Sequence, residues 1–128
     1  MTDDDFLAAL EDTSLPDEAF RHRDHLRADY LYLRRDGFAG AVGSMSAALR
    51  RFAASRGKAE RYHETVTIAF LALINERLAA SGEPGSFEAF LARHPEIAER
   101  GLLTRYYRPE TLGSETARRS FVLEPRAP

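Results

Sequence analysis

The chain has no cysteine, no apolar run long enough to cross a bilayer, and few valines and isoleucines. Without thiols there are no disulfides and no thiolate metal sites, so any transition metal has to be held by imidazole and carboxylate. No stretch approaches the roughly 18 apolar residues that a membrane span requires, and no membrane partner is expected. The shortage of β-branched residues beside abundant Ala, Leu, Arg and Glu is the composition of helices, which predicts an all-α chain with essentially no sheet. The opening Met-Thr-Asp-Asp-Asp-Phe is acidic and lacks the basic and apolar regions of a secretory signal, which points to the cytoplasm.

Charge of one sign is also missing: 18 Lys and Arg stand against 20 Asp and Glu, a net charge of −2, with the basic residues spread along the chain. That distribution argues against a large phosphate-binding footprint and against nucleic acid as a partner. There is no Gly-x-Ser-x-Gly elbow, and the one lysine, Lys58, stands at an expected helix start. Gly37-Phe38-Ala39-Gly40 has neither the lysine nor the strand context of a phosphate-cradling loop.

What remains is a chain of 128 residues, 44% hydrophobic and 30% charged, the length and balance of one globular domain. A single helical domain is expected over 1–128, with a short helix and linker in 1–14 and a tail in 122–128. Thr2 is placed to cap an acidic helix from Asp3 to Leu10, which Thr13-Ser14-Leu15-Pro16 breaks. A second helix runs to about Arg35 and ends at Asp36-Gly37; either Pro16 begins it or Asp24 caps it.

Phe38, Val42, Met45, Leu49 and Phe52 recur at helical steps through Ser55, and Gly40 and Gly43 predict close approach of a neighbouring helix. Lys58 to about Ala80 reads as the longest helix, stopped by Ser81-Gly82-Glu83-Pro84-Gly85. Shorter helices follow from the caps Ser86 and Ser114 and from Pro95, the last ending at Gly101. The whole predicts a single-domain helical bundle with three long helices and several short ones.

Three of the four histidines, His22, His25 and His63, fall in or beside apolar helical stripes, where an unpaired imidazole costs on the order of 1–3 kcal/mol. Something should satisfy them. At about 100° per residue, His22, Leu26, Asp29 and Leu33 form one strip with His25 beside it, and His63 shares an inward face with Thr67 and Phe70. Packing the two helices together would gather His22, His25, His63 and Asp29 around one point. Three imidazoles and a carboxylate suit zinc, iron or nickel, with room for water or substrate. Otherwise each ring is satisfied locally, His22 and His25 by backbone at a helix start and His63 by Asp29 or a tyrosine hydroxyl.

Glu60-Arg61-Tyr62-His63 has the Glu-x-x-His spacing of a di-iron half-site but lacks a clear second copy. Glu64 stands beside His63 on another face, as a general base or a solvated charge. Thr65 and Thr67 can bond back to helix carbonyls. Towards the C-terminus Arg105, Tyr106, Tyr107, Arg108, Ser114, Arg118 and Arg119 form a set able to bind an anion. The competing assignment pairs Arg118 with an acid such as Asp29 and buries the tyrosines with their hydroxyls bonded.

Phe20-Arg21-His22-Arg23-Asp24-His25-Leu26, Arg61-Tyr62-His63-Glu64-Thr65-Val66-Thr67, Tyr106-Tyr107 and Ala117-Arg118-Arg119-Ser120-Phe121-Val122 resemble, in that order, the blocks of a family of short, uncharacterised bacterial proteins. The resemblance spans Phe20 to Pro125. It implies that His22, His25, His63, Glu64, Tyr107 and Arg118 belong together and implies no activity.

The expectation is a polar interior pocket that binds a small ligand or a divalent transition metal and acts, if the protein is an enzyme, on a small molecule. His22, His25 and His63 are the expected metal ligands, His63 and Glu64 the expected catalytic pair, and Asp29, Thr67, Tyr107 and Arg118 the expected ligand contacts. The contrasting expectation is a non-enzymatic homodimer, in which the Phe38–Phe52 stripe is the interface and the histidines are structural.

Overall fold

A computed structural model describes residues 1–125, and every regular element among the described residues is helical. Residues 126–128, the end of the expected tail, lie outside the described residues. Helix α1 (Asp3–Glu11) begins as its sequence predicts: the Thr2 hydroxyl accepts the Asp5 N–H at 3.1 Å, and three aspartates occupy the first turn. Its Phe6, Leu7 and Leu10 are buried. The chain then turns at Thr13 and is held there by Arg56, whose guanidinium donates to the Thr13 carbonyl, the Leu15 carbonyl and the Asp17 carboxylate.

Helix α2 (His22–Ser55) starts at neither of the two expected places. Pro16 precedes only a 3-10 turn at Asp17–Ala19, and Asp24 sits inside the helix, where its carboxylate accepts the Arg21 N–H at 2.9 Å. The chain does break at Gly37, but as a kink within one long element. Gly37 has φ 73° and ψ 177°, and helix resumes directly after it. Asp36 supports the bend by accepting from the Ser44 hydroxyl at 2.7 Å and from Arg35 at 2.9 Å.

Before the kink α2 buries Leu26, Ala28, Tyr30, Tyr32 and Leu33, and after it Ala41, Met45 and Ala48. Val42, Leu49 and Phe52 pack on the same core, so the apolar stripe is used inside the chain, with only Phe38 of the five classed as exposed. Among the described residues the expected helix contact at Gly40 and Gly43 is absent. A Cβ on Gly43 would meet nothing within 4 Å, and one on Gly40 would meet only the Asp36 side chain of its own helix.

Helix α3 (Glu64–Ser81) begins later than the expected Lys58. Ala59–Arg61 forms a 3-10 turn and Tyr62 and His63 are extended, so the first regular turn follows His63. α3 packs along α2 and buries Thr65, Thr67, Ala69, Leu71, Leu73 and Ile74. Gly82 ends it at φ 76°. Helices α4 (Phe87–Arg93) and α6 (Glu115–Arg119) are capped by Ser86 and Ser114 as expected, with α5 (Pro109–Leu112) just before α6. The C-terminal segment is pinned to α3 by Thr65, whose hydroxyl donates to the Ser120 carbonyl at 2.8 Å and accepts the Val122 N–H at 3.1 Å. Among the described residues no helix is long and apolar enough to cross a membrane.

Candidate functional site

Phe20, just before α2, meets Phe52 edge-on with ring centroids 5.0 Å apart, and the His25 ring stacks on Phe20 at 3.9 Å. These rings form one wall of a cleft of about 370 Å³, faced by Val66 and Thr67 of α3, with Leu49 and Phe52 giving its apolar surface. Arg56, Lys58 and Arg61 also line it, and Tyr62 and His63 close the same side. Arg56 is committed to the N-terminal segment, whereas no ion pair or hydrogen bond within the described residues engages the Lys58 or Arg61 side chain.

A second chamber of about 90 Å³ shares His25, Leu49, Val66 and Thr67 with the cleft and is completed by His22, Leu26, Asp29, Met45 and Phe70. The structure thus brings His22, His25, Asp29 and Thr67 together as the helical wheel predicts. Asp29 is only 4% exposed, and burial alone lifts its carboxyl well above the usual carboxylate range, which favours the protonated form. No hydrogen bond from the described residues reaches it. Among the described residues no fully enclosed side-chain polar atom lacks a partner, so the oxygens of Asp29, which lines the chamber, are not sealed in the core. Burial pushes the His25 imidazole down to about 4, helped by the nearby His22 and opposed by Asp24, and the ring is neutral at neutral pH. His22 is also lowered, by burial first and by the charge of Arg100 second.

His63 does not join this group as a free ring. It is the N-cap of α3: Nδ1 accepts the Val66 N–H at 3.1 Å, and Nε2 donates to the Leu112 carbonyl at 2.7 Å. Both nitrogens are committed to backbone, so the ring has no lone pair left for a metal and no free proton site. Among the described residues no three His, Asp or Glu side chains are grouped to hold a metal ion. The expected shell of His22, His25 and His63 does not assemble, because the third ring is spent on capping and tethering. The Glu-x-x-His spacing also dissolves, since Glu60 lies in a 3-10 turn before α3.

Glu64 turns away from the cleft. Its carboxylate accepts the Tyr62 hydroxyl at 2.5 Å and lies 3.6 Å from Arg50, while burial and then this bond push the Tyr62 phenol up to about 12. Thr67 donates to the His63 carbonyl at 2.8 Å, the back-bond open to it in sequence, whereas Thr65 reaches Ser120. Tyr107 is buried and donates to the Val122 carbonyl at 2.7 Å. Arg118 forks onto Glu115 at 2.6 and 2.9 Å and reaches the Glu60 carbonyl at 3.0 Å.

Neither Tyr107 nor Arg118 lines the cleft. The expected C-terminal anion set is mostly paired, with Arg105 on Glu99, Arg108 on Glu124, and Arg118 and Arg119 sharing Glu115; the last two line a separate pocket of about 360 Å³ with Arg50 and Tyr62. Ser114 is occupied as the α6 cap.

The residues that sequence reasoning missed are Phe20, Phe52, Tyr62, Lys58 and Arg61. Their one available signal is the Lys58-x-x-Arg61 pair immediately after Gly57, where a chain turn exposes both cations beside the Phe52 end of α2. No protein-family model, curated protein or solved structure matches the chain.

Proposed function

We propose that this protein binds a small organic molecule with an apolar body and an anionic group, held in the cleft between α2 and α3. The observation that carries this reading is the pairing of an apolar wall, Leu49, Phe52 and Val66, with two cations, Lys58 and Arg61, that form no ion pair within the described residues; Asp17, which lies on the same rim and feels the charge of Lys58, is bound by Arg56. A concave, mainly apolar pocket with a few polar groups is the usual form of a small-molecule site. His25 presents a neutral imidazole to the bound molecule and Thr67 a hydroxyl oxygen, enough to orient a ligand. A chemical step on that ligand would use His25 as the proton acceptor, since His63 and Glu64 are committed elsewhere.

Calorimetric titration with alkanoates and arylalkyl carboxylates such as 3-phenylpropanoate tests the proposal. Saturable binding is expected, abolished by Leu49→Trp, which fills the cleft, and weakened about tenfold by the Lys58→Ala, Arg61→Ala double variant, with added salt lowering affinity. Circular dichroism checks that each variant is folded. Absence of binding by every carboxylate tried, or binding that a folded Leu49→Trp protein retains, would overturn the reading.

A further inference from the structure

The chamber behind the cleft has an unusual balance of hydrogen-bonding groups. Asp29 contributes two oxygens with no partner in the described residues, from a residue only 4% exposed. Thr67 has already spent its hydroxyl proton on the His63 carbonyl, so it offers lone pairs only. His25 and His22 are uncharged rings, each with one acceptor nitrogen, and Phe70 lies edge-on to His22 with centroids 5.6 Å apart. The rest of the wall is aliphatic or thioether, and among the described residues no lysine or arginine lines it.

We propose that the Asp29 chamber is the subsite for a primary ammonium group, so that the ligand carries an amine at one end and an anion at the other, joined by an apolar segment. The inference rests on the cleft reading for the anionic end. A buried carboxyl without a partner is costly to keep charged and gains most from a cation that is desolvated with it. An ammonium group has three N–H donors and no acceptor, which matches the oxygens of Asp29, the Thr67 lone pairs and an imidazole nitrogen, and Phe70 adds an aromatic surface for the charge. The volume of about 90 Å³ suits the ammonium group and the methylene that bears it. The residues shared with the cleft, His25, Leu49, Val66 and Thr67, are the boundary the apolar segment would cross. The ammonium ion arrives with its own proton, so the proton that Asp29 holds is released to solvent as the pair forms.

The test compares 6-aminohexanoate and 8-aminooctanoate with hexanoate and octanoate by titration calorimetry in buffers of different ionisation enthalpy. At least tenfold tighter binding of an amino compound than of its parent alkanoate is expected, with about one proton released per amino compound and none per alkanoate. In Asp29→Asn the advantage should vanish while alkanoate affinity is kept. If an alkanoate binds as well as its amino counterpart and Leu49→Trp abolishes both, the amine subsite is overturned and the cleft reading stands. If none of the four binds, both fall. The preference for the amino compound over its parent alkanoate on the unaltered protein decides the matter even where Asp29→Asn does not fold.

Discussion

The His63 ring joins two parts of the chain that are 49 residues apart, donating from Nε2 to the Leu112 carbonyl at 2.7 Å while its Nδ1 caps α3. A catalytic imidazole needs one nitrogen free; this one has none. His63→Ala is expected to lower stability by about 2 kcal/mol, roughly one from the lost cap and one from the lost tether. His63→Asn should recover the capping part alone. Urea denaturation of the three proteins measures this, and an Asn variant no better than Ala would show that the cap contributes nothing.

Gly37 and Gly43 lie six residues apart in one helix and should respond in opposite directions. At φ 73° and ψ 177° Gly37 occupies a region that L-residues almost never enter, so Gly37→Ala is expected to cost about 1–3 kcal/mol although no atom crowds the site. Gly43 has ordinary helical geometry and open space around it, and Gly43→Ala should add about 0.5–1 kcal/mol. Thermal midpoints of the two variants that move together would refute the assignment of the kink to Gly37.

His25 and Asp29 give stability opposite dependences on pH. Burial holds His25 at about 4 against its ordinary 6.5. Between those values the unfolded chain takes up a proton that the folded chain refuses. The contribution is therefore intact above pH 6.5 and lost as pH falls towards 4, with a ceiling of about 3 kcal/mol from ~1.36 kcal/mol per unit. Asp29 is raised, so the folded chain keeps a proton that the unfolded chain loses above about pH 4, and stability declines as pH climbs from there. His25→Phe, which preserves the stack on Phe20, should flatten the acid limb. Asp29→Asn should be stabilising at pH 8 and close to neutral at pH 4. Urea midpoints at pH 4, 6 and 8 decide both.

Arg56 holds the turn after α1 through the Thr13 and Leu15 carbonyls and the Asp17 carboxylate. Lysine keeps the charge but not the planar fork, so Arg56→Lys should cost on the order of 1–3 kcal/mol. It should speed amide exchange around residues 13–17 more than in α3, and uniform acceleration along the chain would contradict a local clamp.

The sequence disclosed helix content, the caps at Thr2, Ser86 and Ser114, and the inward faces of two helices that bring His25 and Asp29 to the same chamber as Thr67, because each depends on spacing or on a residue type with one strong local preference. It misplaced the start of α3. Apolar periodicity runs unbroken from Tyr62 into the helix, and nothing local announces that an imidazole will serve as the cap in place of a hydroxyl or carboxylate. The cleft was hidden for a different reason. Phe20 and Phe52 are 32 positions apart, and their meeting depends on the course of α2 through its kink and on the turn that Arg56 fixes, which is tertiary information. The Gly40 and Gly43 notch misled because two small residues resemble a packing groove whether or not another helix occupies it.

One hydroxyl, that of Thr65, does for the end of the chain what a neighbouring strand does in a sheet. It pairs with the carbonyl of Ser120 and the N–H of Val122, two groups on the same edge of an extended backbone, and Tyr107 takes the Val122 carbonyl from that edge as well. Sliding this segment by a single position would turn every one of those groups to the far edge. The C-terminal stretch is therefore locked in phase with α3, and an insertion or deletion of one residue between Ala117 and Ser120 would unzip all three pairings at once.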